Sequence, residues 1–166
     1  MASDTYGVGY NSKTIEGRYN QYARDRELFL ERGRDCAQFT IPTLIPDEGH
    51  SSTTRFSTPY QGIGARGVNN LASKLLLLLL PPNSPFFRLA VSGKTKEELE
   101  QNKELKSEIE KSLANIEREV SKKIEELALR VSVFEALKHL IVSGNVLTYL
   151  PKKGTMRVFP ITHYVN

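Results

Sequence analysis

Cysteine is almost missing from this sequence: Cys36 stands alone among 166 residues, so no internal disulfide framework can form. With one cysteine and three scattered histidines, His50, His139 and His163, the ligand spacing of a structural zinc site is absent as well. Long apolar runs are also lacking. The longest, the six leucines Leu75 to Leu80, falls far short of the roughly 18 residues that span a bilayer. The first ten residues, MASDTYGVGY, have no basic region followed by an apolar one, so no secretory signal is recognisable and no membrane partner is expected. What remains is a composition of 39% apolar and 25% charged residues, that of a globular chain with material for one core.

The net charge of +4 permits an anionic partner without requiring one, and its distribution says more. From Gly49 to Lys94 there are five basic residues and no acid, whereas Thr95 to Glu126 holds ten Glu against seven Lys and Arg. Basic residues prevail again from Leu127 onward, with Glu135 the lone acid. Such striping suits oriented assembly or a nearby polyanion; solvated faces without a partner are the plainer alternative.

Along the chain, residues 1–11 read as a mobile N-terminal arm and residues 12–166 as one unit. Helix is expected from near Ser12 to Gln38, with Ile15, Tyr19 and Tyr22 at i, i+4 and i+7 and Gly33 weakening its last turn. Phe39 to Pro59 reads as a long loop and a candidate contact segment. A second helix is predicted from Tyr60 to Leu79, its apolar side carrying Gly64, Val68, Leu71, Leu75 and Leu78, and Pro81 and Pro82 stop it. Its last two turns are leucine all round and need cover on every side, in the core or from another chain.

Thr95 and Glu98 have capping-box spacing and open a long helix, whose stripe Ile109, Leu113, Ile116, Val120, Ile124 and Leu127 lies opposite charged pairs. Such a helix reaches about 50 Å, a strut more than a core filler. A second capping box, Ser132 with Glu135, is expected to open a shorter helix that Gly144 ends in a left-handed conformation. The period then changes to two, and Val146 to Leu150 and Met156 to Ile161 predict a β-hairpin with Lys152 and Lys153 at a basic tip. The fold class is therefore α+β, predominantly helical with a C-terminal hairpin. A hairpin is marginal without more sheet, and the chain reads as incomplete at its C-terminal side.

Gly62 to Gly67 fits GxGxxG, but no buried strand precedes it and no βαβ unit follows; close backbone packing at Gly64 and Gly67 fits better than nucleotide binding. Cys36 has no histidine nearby in sequence and reads as a buried structural thiol. The glutamates of the long helix alternate with lysines and read as solvation. No catalytic, cofactor or metal residue is assigned, and the chain is not expected to be an enzyme. Arg66, Lys74, Lys152 and Lys153 are candidates for a weak DNA-facing lining, and Leu76, Leu77 and Leu80 for a subunit interface. A helical nucleic-acid-binding module is the alternative these basic flanks allow, and a nucleotide-dependent enzyme rests on Gly62 to Gly67 alone.

Three stretches, CAQFTIPTLIPDEG, TPYQGIGARGVNNLASKLLLLLLPPNSPFFRL and FEALKHLIVSGNVLTYLP, in this order and spacing, resemble the N-terminal portion of the portal, or head-to-tail connector, proteins of short-tailed podophages. The resemblance runs from about Ile15 to the end; PPNSPFF, Pro81 to Phe87, stands where relatives vary. It implies the wing-type region of a ring-forming virion protein, dodecameric in the family, set at one capsid vertex. Double-stranded DNA is packaged and ejected through such a ring, and the tail attaches to it. Implied partners are other copies of the chain, the major capsid protein, tail adaptor proteins and, transiently, the terminase motor, with assembly in the bacterial host cytoplasm. The family's tunnel and stem segments lie beyond the matched stretch, so no site residue follows from it.

Overall fold

The computed structural model describes residues 14–91 and 103–165, apart from positions 48, 52, 54, 57 and 83. The expected N-terminal arm and the Thr95–Glu98 capping box lie outside the described residues. Among the described residues, four helices precede one hairpin: α1 (Ile15–Phe39), α2 (Ile63–Leu79), α3 (Lys103–Glu126), α4 (Leu129–Ser143), β1 (Val146–Tyr149) and β2 (Arg157–Pro160). Single 3₁₀ turns lie at Pro42–Leu44 and Ile161–His163.

Helix α1 starts where Thr14 can cap it, its hydroxyl oxygen accepting from the Gly17 amide at 3.0 Å. The stripe Ile15, Tyr19 and Tyr22 does not face the core, and Ile15 is 81% exposed. Gly17, Leu30, Gly33 and Ala37 are the buried residues instead, three of them in the C-terminal half of the helix. Gly33 does not end α1. It admits its neighbours: a Cβ there would sit 2.9 Å from Ile45 Cδ1 and 3.5 Å from Ser143 Cβ. Cys36, expected to be buried, is exposed, because Ala37 takes the inward position beside it.

Helix α2 runs to Leu79 as its prolines dictate but starts at Ile63, three residues later than the pattern suggested. Its inward residues are Val68 and Ala72. Leu71 and Leu78, expected on the covered side, are 47% and 78% exposed, while the small Ala72 is fully buried on the side that packs against α4 and the core. Gly64 meets the end of α1 so closely that a Cβ would overlap the Phe39 carbonyl oxygen, whereas Gly67 faces open space. Of the two glycines read as packing points, only Gly64 is one.

Helix α4 is central, packing against α1, α2, α3 and both strands. It is not opened by a Ser132–Glu135 box. Ala128, left-handed at φ 49°, turns the chain from α3 and starts α4 at Leu129, so Ser132 is already inside the helix. The Ser132 hydroxyl donates instead to the Met156 carbonyl at 3.1 Å, tying α4 to the hairpin. At the other end Gly144 adopts the expected left-handed cap, φ 75°, and its amide donates to the Leu140 carbonyl. The strands pair antiparallel, Val146 with Pro160 through Tyr149 with Arg157.

The core is small: Leu30, Ala37, Ile45, Val68, Val142 and Ile161 form one cluster, edged by Ile41, Leu44 and Ile141. Nine apolar side chains are buried among the described residues, while more than twenty large ones are exposed.

Candidate assembly and DNA-facing surfaces

The basic candidates fall on two separate elements. Arg66 and Lys74 lie exposed on α2, and Lys152 and Lys153 lie exposed in the turn between β1 and β2, where Gly154 takes φ 101°. None of the four has a salt bridge or side-chain hydrogen bond among the described residues, so their charges stay available to solvent anions. The two pairs are not brought into one site. Exposed unpaired lysine and arginine on regular elements can screen a polyanion but cannot read bases without a groove-matching element.

The leucine run divides by face. Leu75, Leu76 and Leu80 are half-covered, whereas Leu77, Leu78 and Leu79 are 57%, 78% and 53% exposed. The single chain therefore does not supply the all-round cover that the run demands. Of the interface candidates, Leu77 is open and Leu76 and Leu80 are partly inside. A further apolar surface, absent from the sequence-based candidates, is the N-terminal half of α1 with Ile15, Tyr19 and Tyr22; their helical period is legible in the sequence, but not that the fold leaves them exposed.

Long-range polar ties were also missed. Arg26 of α1 donates to the carbonyls of Ile161, Thr162 and Tyr164, fastening the C-terminal 3₁₀ turn onto the helix. Arg130, in the first turn of α4, pairs with Glu125 at 2.7 Å and donates to the Pro81 carbonyl at 3.0 Å. Isolated arginines carry no local signal for such partners; only the Pro81 helix stop hinted at a free carbonyl there.

Two groups are shifted by burial. His139 is 6% exposed, its Nδ1 has no partner, and desolvation lowers its pKa, opposed by Glu135 and reinforced by Lys138 and His163. Burial raises Tyr164, and the Arg26 charge partly offsets it. The α3 carboxylates are solvent-facing apart from the half-buried Glu117, and among the described residues no His, Cys, Asp and Glu cluster could hold a metal.

A family model described as bacteriophage head to tail connecting protein matches residues 12–165. The chain belongs to this family. It is 36% identical over 98% of its length to the portal protein of Enterobacteria phage T3, and 38% identical over 89% to that of Escherichia phage T7. The portal protein of Enterobacteria phage SP6 is 34% identical over 96% of the chain. The chain spans 31%, 28% and 30% of those portal proteins' own lengths. The match to the head-to-tail connecting family takes in every surface described above, α2 and the hairpin tip included.

Proposed function

We propose that this chain is part of a phage portal, the head-to-tail connector that forms a ring at one capsid vertex. Genomic DNA passes through that ring during packaging and ejection, and the tail attaches to it. The observation that carries the reading is the identity of 34–38% to three portal proteins over 89–98% of the chain. The uncovered leucines of α2 support it, since a ring subunit buries against its neighbours what its own core leaves open.

In this reading residues 12–166 contribute the wing-type region, and the role is structural, not enzymatic. The partners are further copies of the chain in a dodecameric ring, the major capsid protein, tail adaptor proteins, the terminase motor during packaging, and duplex DNA. The protein resides in the virion at the portal vertex after assembly in the host cytoplasm. Arg66, Lys74, Lys152 and Lys153 act as a non-specific lining near DNA, and Leu76, Leu77 and Leu80 lie at subunit contacts. Electron micrographs of the complete gene product test this directly: rings with a central channel are expected, and monomers at all concentrations would overturn it.

A further inference from the structure

Helix α3 is attached to the rest of the fold unlike the other three helices. Not one of its side chains with described burial is fully buried, and α4, which follows it directly, is the helix it packs against. The connection is two residues long, Leu127 and Ala128, and Ala128 is the one non-glycine residue with positive φ among those described. An alanine in that region marks a chain reversal held by its surroundings and not by its own preference.

Those surroundings are polar. Arg130 spans three elements at the junction, holding Glu125 near the end of α3 and the Pro81 carbonyl just past α2. Its Nε is buried without a partner, so the tie is incompletely compensated. Farther along, the Leu89 amide donates to a Glu117 carboxylate oxygen at 2.6 Å, binding the strap that leaves α2 to the middle of α3. Along that strap lie two half-open clefts: one of about 490 Å³ between Arg88–Val91 and α3, and another of about 450 Å³ lined by Pro81, Phe86, Ser121 and Ile124. Interdigitated side chains would resist rotation here; open clefts do not.

We propose that α3 is a hinged arm, with Ala128 as its pivot and Arg130 as the latch that sets its angle to the body formed by α1, α2, α4 and the hairpin. The Arg130–Glu125 and Leu89–Glu117 ties both end on carboxylates and are at least partly accessible, so the arm's angle responds to ionic strength. The body, held by the apolar cluster around Leu30 and Val142, does not.

Spin labels on the full chain, diluted with unlabelled chain and in a Cys36→Ser background, read this directly by pulsed dipolar spectroscopy. The arm pair is Asn70→Cys with Lys111→Cys; the body pair is Gln21→Cys with Asn70→Cys. The expected result is a narrow arm-pair distribution at low salt. It becomes about twofold wider at about 1 M salt, where the screening length falls to about 3 Å. Arg130→Gln and, separately, Glu117→Gln widen it at low salt, and the body pair stays narrow throughout. An arm pair unchanged by salt and by both variants would overturn the hinge. A body pair that widens together with the arm would also overturn it, because Arg130 would then hold the whole fold.

Discussion

Arg26 and the Ile161 carbonyl, 135 positions apart, are joined by a hydrogen bond of 3.1 Å. The same guanidinium nitrogen also serves the carbonyls of Thr162 and Tyr164, so one side chain of α1 organises the backbone that leaves β2. Ile161 is buried in the core beneath this clamp, which couples a polar tie to apolar packing. Arg26→Met keeps the stem and removes the donors. It should lower unfolding stability by about 2 kcal/mol, the usual loss for hydrogen bonds from a charged group. Urea denaturation should show a lower midpoint with unchanged slope, and an unchanged midpoint would show that the clamp adds nothing net.

Gly64 and Gly67 make opposite predictions three residues apart on one helix. At Gly64 an added Cβ meets the backbone of Phe39 and Thr40, which cannot swing away as a side-chain tip can. Gly64→Ala should therefore cost about 2 kcal/mol through displacement of α1 from α2. Gly67 faces open space in the interior of α2, so Gly67→Ala should stabilise by about 1 kcal/mol through helix propensity. Thermal melts of the two variants should move in opposite directions. A parallel shift would contradict the geometry at the crossing.

Ala128 offers a similar contrast. Glycine at a left-handed position removes the clash between Cβ and the carbonyl, so Ala128→Gly should raise stability by up to about 1 kcal/mol, less its entropic cost in the unfolded chain. Ala128→Val, with a branched Cβ at the same φ, should lower it. If both variants melt below the parent, the turn is held by something other than local sterics.

His139 predicts the pH dependence of stability. Its pKa is lowered in the folded state by burial, so the fold favours the neutral ring. The native state then binds fewer protons than the unfolded state, and the histidine's contribution is full above its ordinary value of 6.5. As pH falls below that value the unfolded chain takes up the proton first, and stability declines until the folded ring titrates too. His139→Leu should flatten the stability profile between about pH 7 and pH 5, where unperturbed carboxylates do not yet titrate. A decline as steep as the parent's would place the responsible group elsewhere.

Signals carried by a few neighbouring residues are the ones legible in the sequence. Pro81 stops α2, Gly144 caps α4, and the change to a period of two marks the hairpin, because each of these is settled by backbone chemistry within a few positions. The start of α4 was missed, since an alanine in a left-handed turn runs against local preference and leaves no signal in the sequence. The covered faces of α1 and α2 were misjudged for a related reason: hydrophobic periodicity shows that a helix has an apolar side, not which side its neighbours reach. Gly33, Ala37 and Ala72 took the inward positions because close helix approach favours small residues over the larger Tyr22 and Leu71. The basic candidates Arg66, Lys74, Lys152 and Lys153 are exposed, as charge alone suggests.

Leu77 separates assembly from folding. It is 57% exposed in the single chain, so replacing it with aspartate removes little buried area and creates no buried charge within the fold. Exposed substitutions of this kind usually change stability by less than about 0.5 kcal/mol. If a neighbouring subunit covers Leu77 in the ring, however, Leu77→Asp places an unpaired carboxylate in an apolar contact, a cost of several kcal/mol for each interface. The complete gene product carrying Leu77→Asp should therefore melt normally yet form far fewer rings on size-exclusion chromatography and in micrographs. Ser73→Asp, one turn earlier on the same exposed face of α2, is the comparison that shows how far along the helix the contact extends. Normal ring assembly by Leu77→Asp would place that leucine outside the interface and leave Leu76 and Leu80 as the residues to vary next.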